Sequence, residues 1–136
     1  MSKSAIYTVN SSTQNLIEGS TINLGGIIRR FGPSLELSGN TIQIKERGYY
    51  LINISATISN AGAGEVTVEG YLNNVAIPGA IATETAAAAD DVVNLSLSAI
   101  VREGCYCCDG VSNLTFVLTE GATVDITNFA VTVEKL

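Results

Sequence analysis

The chain is 136 residues long, the size of one domain. It carries seven Lys and Arg against thirteen Asp and Glu, for a formal net charge of −6, and it has no His. That balance repels phosphate backbones and argues against nucleic acid as a partner; the missing His removes the commonest general base and the commonest metal ligand.

Hydrophobic residues make up 46% of the chain and charged residues only 15%, with abundant Ser, Thr, Asn, Val, Ile and Ala. This palette suits strands joined by polar turns. The opening "MSKSAIYTVNSSTQ" has no apolar stretch before a small-residue cleavage site, so no secretory leader is expected. No apolar run approaches the roughly 20 residues that span a bilayer, so no membrane span is expected either.

In chain order, the clearest element is "ERGYYLINISATIS", residues 46–59. Tyr50, Ile52, Ile54, Ala56 and Ile58 alternate with Leu51, Asn53, Ser55 and Thr57. A period of two predicts a strand with one buried face, entered through Gly48. "EVTVEGYL" repeats the pattern, with Val66, Val68 and Leu72 on one side and Glu65, Thr67 and Glu69 on the other. The run "ATETAAAADD", residues 82–91, has helix-favouring alanines but no apolar stripe, and is expected to be a loop or a short extended crossing.

"VVNLSLSAIV" turns Val93, Leu95, Leu97, Ala99 and Val101 inward, and "NLTFVLTE" does the same with Leu114, Phe116 and Leu118. In the last strand Val124 and Ile126 keep one phase while Phe129, Val131 and Val133 keep the other. A slip at Thr127–Asn128 demands a bulge there, or a strand buried on both faces. Turn residues recur at 38–40, 60–64, 72–74, 78–80 and 120–122. Short strands at that spacing predict an all-β antiparallel sandwich or barrel. The expected interior includes Tyr50, Ile52, Ile54, Val66, Val68, Leu95, Leu97, Phe116, Leu118 and Val131. Several outward positions are uncharged, notably Tyr49, Leu51 and the small residues of 80–89, which favours an oligomer over a monomer.

One spacing goes further. Leu35 is followed by six residues and Ile42, then by five residues, Gly48, Tyr50, Ile52 and Ile54. This resembles the signature of the complement-type globular head in the tumour-necrosis-factor-like jelly-roll superfamily. Gly48 and Tyr50 match that signature outright. Aliphatic residues replace aromatics at positions 42, 52 and 54, and Arg30 stands where the pattern has Asn or Asp. Within the superfamily the chain resembles the C-terminal head of the collagen-like exosporium glycoprotein and related spore-layer and phage proteins. "TIQIKERGYYLINISATIS", "VEGYLNNVAIPGA" and the ending "FAVTVEKL" carry that likeness, which covers roughly residues 25–136. The resemblance implies a jelly roll of about ten strands closed into a homotrimer. Residues 1–24 would then be an N-terminal segment holding the first strand and a candidate docking arm, with 25–136 as the jelly-roll domain. The collagen-like stalk that usually precedes such heads has no counterpart here.

Candidates for chemistry are few. Cys105, Cys107 and Cys108 crowd one loop, where they are either small reduced thiols, inter-subunit cross-links or metal ligands pooled by several chains. Asp90 and Asp91 with nearby Glu84 are a candidate calcium or binding loop, but without the oxygen-rich spacing such a site needs; a solvated acidic loop is the plainer reading. Glu65 and Glu69 share a strand face, and a glycosidase pair would need a cleft around them. Arg29 and Arg30 offer an ion pair across a subunit boundary. Of the Asn-x-Ser/Thr sequons at Asn10, Asn53, Asn94 and Asn113, three fall within predicted strands and are read as chance matches. Tyr71 and Tyr106 are candidate contacts for a ligand at end loops 60–64, 73–79 and 105–112. No cofactor, no metal and no enzymatic reaction is expected. The leading expectation is a non-enzymatic homotrimeric unit on the surface of a bacterial spore or phage particle, made in the cytoplasm. The alternative is a module that binds glycan or protein through its end loops.

Overall fold

The computed structural model describes residues 3–103 and 111–136. Eleven strands account for its regular structure: β1 (Ala5–Asn10), β2 (Gln14–Leu16), β3 (Gly26–Phe31), β4 (Leu35–Ser38), β5 (Thr41–Ile44), β6 (Gly48–Asn60), β7 (Gly64–Leu72), β8 (Val75–Ala86), β9 (Val92–Glu103), β10 (Ser112–Glu120) and β11 (Val124–Lys135). Eleven strands fit the expectation of about ten. The short β2, three residues pairing with the start of β11, is too brief to show a period of its own. Among the described residues no helix is long and apolar enough to cross a membrane.

The strands form two antiparallel sheets. The larger has the order β3-β1-β11-β6-β9, with β2 also paired to β11, and the smaller has the order β4-β5-β10-β7-β8. Neighbours in space are mostly distant in sequence, so chain crossovers knit the two layers together. The apolar faces of both sheets meet in one core. Tyr50, Ile52, Ile54, Val66, Val68, Leu95, Leu97, Phe116, Leu118 and Val131 all lie in it, as the alternation predicts. Phe116 from the smaller sheet meets Phe129 from the larger one edge to face, with ring centroids 5.8 Å apart. β1 sits between β3 and β11, and Ile22 and Leu24 are fully buried. Strands on either side of residue 24 thus pair with each other.

Local irregularities follow the sequence. The β6–β11 register shifts between Ile126 and Asn128, and Thr127 is exposed. This is the expected bulge, and it returns Phe129, Val131 and Val133 to the inner face. Asn73 and Asn74 both have positive φ, 52° and 66°, and join β7 to β8 as a two-residue hairpin turn. Residues 78–80 do not form a turn; they lie inside β8. Glu69 pairs with Ile81 and Tyr71 with Ala76, so residues 77–80 stand opposite Gly70 alone and bow out as a wide bulge. Gly70 makes room for it: a Cβ there would stand 3.3 Å from the Ala80 side chain and 3.5 Å from Ile77. The alanine-rich run splits, with residues 82–86 completing β8 and the following residues turning toward β9.

Candidate functional surface

Each long strand spans roughly 40 Å at about 3.4 Å per residue, and this gives the sandwich two distinct ends. At the near end β6 and β10 begin while β9 and β11 finish; at the far end lie the turns 61–63, 87–91 and 121–123. Of the three loops expected to form one ligand-binding end, two are held apart, and residues 105–110 of the third lie outside the described residues. Loop 60–64 precedes β7 and the 73–74 turn follows it, so they occupy opposite ends of the molecule. The 73–74 turn does meet the start of β10, where the Asn73 amide donates to the Asn113 carbonyl at 2.8 Å.

The near end is closed by a polar network beneath the family-like Tyr50. Its hydroxyl donates to the Glu46 carbonyl at 2.7 Å. Ser34 donates to the Glu46 carboxylate, which also receives the Lys135 ammonium at 3.2 Å. Ser112 donates to the buried carboxylate of Glu103. Burial pushes the Tyr50 phenol above its ordinary value of 10.0, opposed by a hydrogen bond to Ser34 and helped by the charges of Glu46 and Glu103. These bonds tie the entries of β4 and β6 to the end of β11, and separately the end of β9 to the start of β10, a structural role.

Other sequence candidates resolve individually. The Asp91 carboxylate accepts from the Ala88 amide at 3.0 Å, and the Asp90 amide donates to the Asn60 carbonyl at 2.7 Å, with Asp90 at φ 67°. Both residues shape the turn into β9. Asp91 and Glu84 line a polar hollow of about 350 Å³ at that end, together with Thr85, Ala87, Val92, Val93 and Asn94. Among the described residues no three His, Cys, Asp or Glu side chains gather as metal ligands. Tyr71 is half-buried on the outer face of the smaller sheet, beside Ala76 and Thr115. Arg29 and Arg30 remain within β3, and Arg30 Nε donates to the Leu35 carbonyl at 2.6 Å. Asn10, Asn53, Asn94 and Asn113 all lie in strands. Cys105, Tyr106, Cys107 and Cys108 lie outside the described residues.

Among the described residues, the outer face of the larger sheet forms one broad, continuous surface. The register aligns its side chains in rows. Ile100, Leu51, Glu134, Ala5 and Phe31 form one, and Ser98, Asn53, Thr132, Tyr7 and Arg29 the next. Ser96, Ser55, Ala130 and Val9 follow, then Asn94, Thr57 and Asn128. These two rows hold no charged residue, and the next, Val92, Ser59, Asp125 and Asn15, holds only Asp125. Ser98 donates to Asn53 and Thr57 to Asn94, so the polar groups satisfy one another across the strands. Toward the near end exposed apolar side chains join the face beside Arg29, Arg102 and Glu134: Phe31 is 60% exposed, Ile100 59% and Tyr49 54%. The uncharged middle rows are what a subunit contact needs, because burying them strands few charges. Sequence periodicity pointed to Tyr49 and Leu51 but missed Ile100 and Phe31, which join the patch only through cross-strand register. It also missed an apolar groove of about 340 Å³ between edge strands β8 and β9, lined by Leu72, Val75, Ala76, Ile77, Pro78, Ile100, Val101 and Arg102.

This two-sheet topology is shared with solved structures across nearly the whole chain. Murine APRIL superposes with a TM-score of 0.69 at 12% identity, over 98% of this chain and 99% of its own. The globular domain of the zebrafish complement 1qA protein gives 0.69 at 9% identity, over 97% and 95%. The PRD1 vertex protein P5 gives 0.65 at 12% identity, over 98% and 96%. The fold is the tumour-necrosis-factor-like jelly roll. No protein-family model matches the chain, and a search of the curated proteins finds no match. The likeness therefore resides in this jelly roll's geometry, with Leu35, Ile42, Tyr50, Ile52 and Ile54 of the signature spacing all buried in its core.

Proposed function

We propose that the chain is a non-enzymatic structural head that closes into a homotrimer through the outer face of its larger sheet, on the surface of a bacterial spore or phage particle. The observation that carries this reading is that face: wide, uncharged through its middle rows, and edged by the exposed Tyr49, Ile100 and Phe31. Similarity in fold to a vertex protein supports the particle setting. Within residues 1–24, positions 5–10 are committed to β1, so the exposed stretch around Ser11–Thr13 and Ile17–Gly19 is what remains to serve as a docking arm. Cross-linking of subunits through Cys105, Cys107 and Cys108 belongs to the same proposal, and non-reducing electrophoresis reads it.

The test is a mass measurement. Light scattering of the wild-type chain is expected to give three times 14.2 kDa. Ser55→Arg, placed on the exposed centre of the face, should dissociate it to a folded monomer. A wild-type monomer at micromolar concentration would overturn the assembly; purified spores or virions lacking the chain would overturn the setting. The apolar groove beside Val75 and Ile77 favours a second reading, a protein- or glycan-binding module at the near end. Saturable glycan-array binding lost in Tyr71→Ala would support that module over a purely structural head.

A further inference from the structure

The charges of this chain are sorted along the strand direction. All seven cations lie toward the near end. Lys3 precedes β1; Arg29 and Arg30 fall late in β3; Lys45 and Arg47 flank the passage from β5 to β6; Arg102 falls late in β9; Lys135 closes β11. The described carboxylates Glu36, Glu46, Glu103 and Glu134 also lie at this end, Glu36 paired with Lys45 and Glu46 with Lys135, so seven cations there face four of them. The far end holds Glu65 at the start of β7, Glu84 late in β8, Asp90 and Asp91 in the turn, Glu120 closing β10 and Asp125 opening β11. Glu18 joins them, because the neighbouring Gly19 amide bonds the Leu118 carbonyl of β10. Since every Lys and Arg lies toward the other end, no cation of this chain offsets these carboxylates.

We propose that copies of this head associate end to end, the cationic near end of one against the anionic far end of the next. The partner is fixed by complementarity: each copy carries both poles. At an ionic strength of about 0.15 M the screening length is about 8 Å, a fraction of the roughly 40 Å between the ends, so each pole acts separately and facing ends attract. At about 0.01 M the reach grows to about 30 Å, and the net charge of −6 on each copy repels the whole molecule. At about 1 M the reach shrinks to about 3 Å and the attraction fades. Association therefore peaks at intermediate salt. Apolar contact alone would strengthen steadily with a salting-out salt. The contact is heterologous, so it builds open rows and not closed rings. It does not rest on the trimer: monomers carry the same poles, and a trimer whose axis runs along the strands adds them in parallel.

The experiment is static light scattering of the full chain at one fixed protein concentration, in NaCl from about 10 mM to about 1 M. The apparent mass should at least double near 0.1 M relative to both extremes. The variant Glu18→Lys/Glu65→Lys/Glu84→Lys, at three exposed positions, should lose that maximum, and an equimolar mixture with wild type should restore it. Should that variant fail to melt cooperatively, the neutral Glu65→Gln/Glu84→Gln pair replaces it and should lower the maximum by half or more. A flat profile, a steady rise with salt, or a maximum that survives the substitutions would overturn the proposal. The trimer is read separately, from the smallest species at high salt.

Discussion

Tyr50 shows how one side chain serves packing and closure together. Its ring fills the core, while its hydroxyl ends in the polar network that seals the near end. Tyr50→Phe keeps the ring and deletes the bond to the Glu46 carbonyl, and should cost about 1 kcal/mol at neutral pH by urea titration. The pH dependence has a definite sign. Above a pH of about 10 an unfolded tyrosine gives up its proton, whereas buried Tyr50 keeps it. The native state then binds more protons than the unfolded one, so stability falls as pH rises through that range. The phenylalanine variant should show a shallower loss over the same interval. An identical slope in both proteins would remove Tyr50 from the account.

At the scale of the element, β11 is the informative case. Its sequence carries two apolar phases, and a regular strand would present one of them to water. Thr127 absorbs the mismatch by standing out of register with β6. Deleting Thr127 should therefore turn either Val124 and Ile126 or Phe129, Val131 and Val133 away from the core. Fully burying a Val or Ile side chain is worth roughly 1.5–3 kcal/mol, so losing several exceeds the few kcal/mol in hand for such a domain. The deletion should abolish cooperative melting, while Thr127→Ala, at an exposed bulge, should change stability by less than about 0.5 kcal/mol. β8 is the counter-example. Its Pro78-Gly79 pair reads as a turn, but the strand continues because its partner offers a glycine at the facing position.

At the scale of the whole molecule, the outer face of the larger sheet and the sorting of charge are properties that no single strand possesses. If three copies share that face, folding and assembly are linked, and the melting temperature should rise with protein concentration. Differential scanning calorimetry over a hundredfold range of concentration would read this directly. A concentration-independent midpoint would leave the head a monomer with one side uncharged through its middle rows. The poles act at longer range and would organise heads relative to one another, whatever their number around a shared axis.

The sequence by itself determined which side of each strand faces inward. Burial on a pleated ribbon imposes a period of two, and this chain obeys it from Tyr50 to Ile58 and from Leu114 to Leu118. It also determined the bulge in β11, because a broken period admits few remedies. It pointed to the jelly roll through a spacing whose matching side chains turned out to be core positions, which report the fold and are silent on what the surface contacts. Only the tertiary structure decided which strands are neighbours, since pairing joins segments as far apart as Ala5 and Glu134. That choice set Ile100 beside Leu51, put loop 60–64 at the opposite end from the 73–74 turn, and gathered every cation of the chain toward one end. The reason is physical: periodicity is written in the chain locally, whereas a surface is made by register between strands that local spacing does not encode.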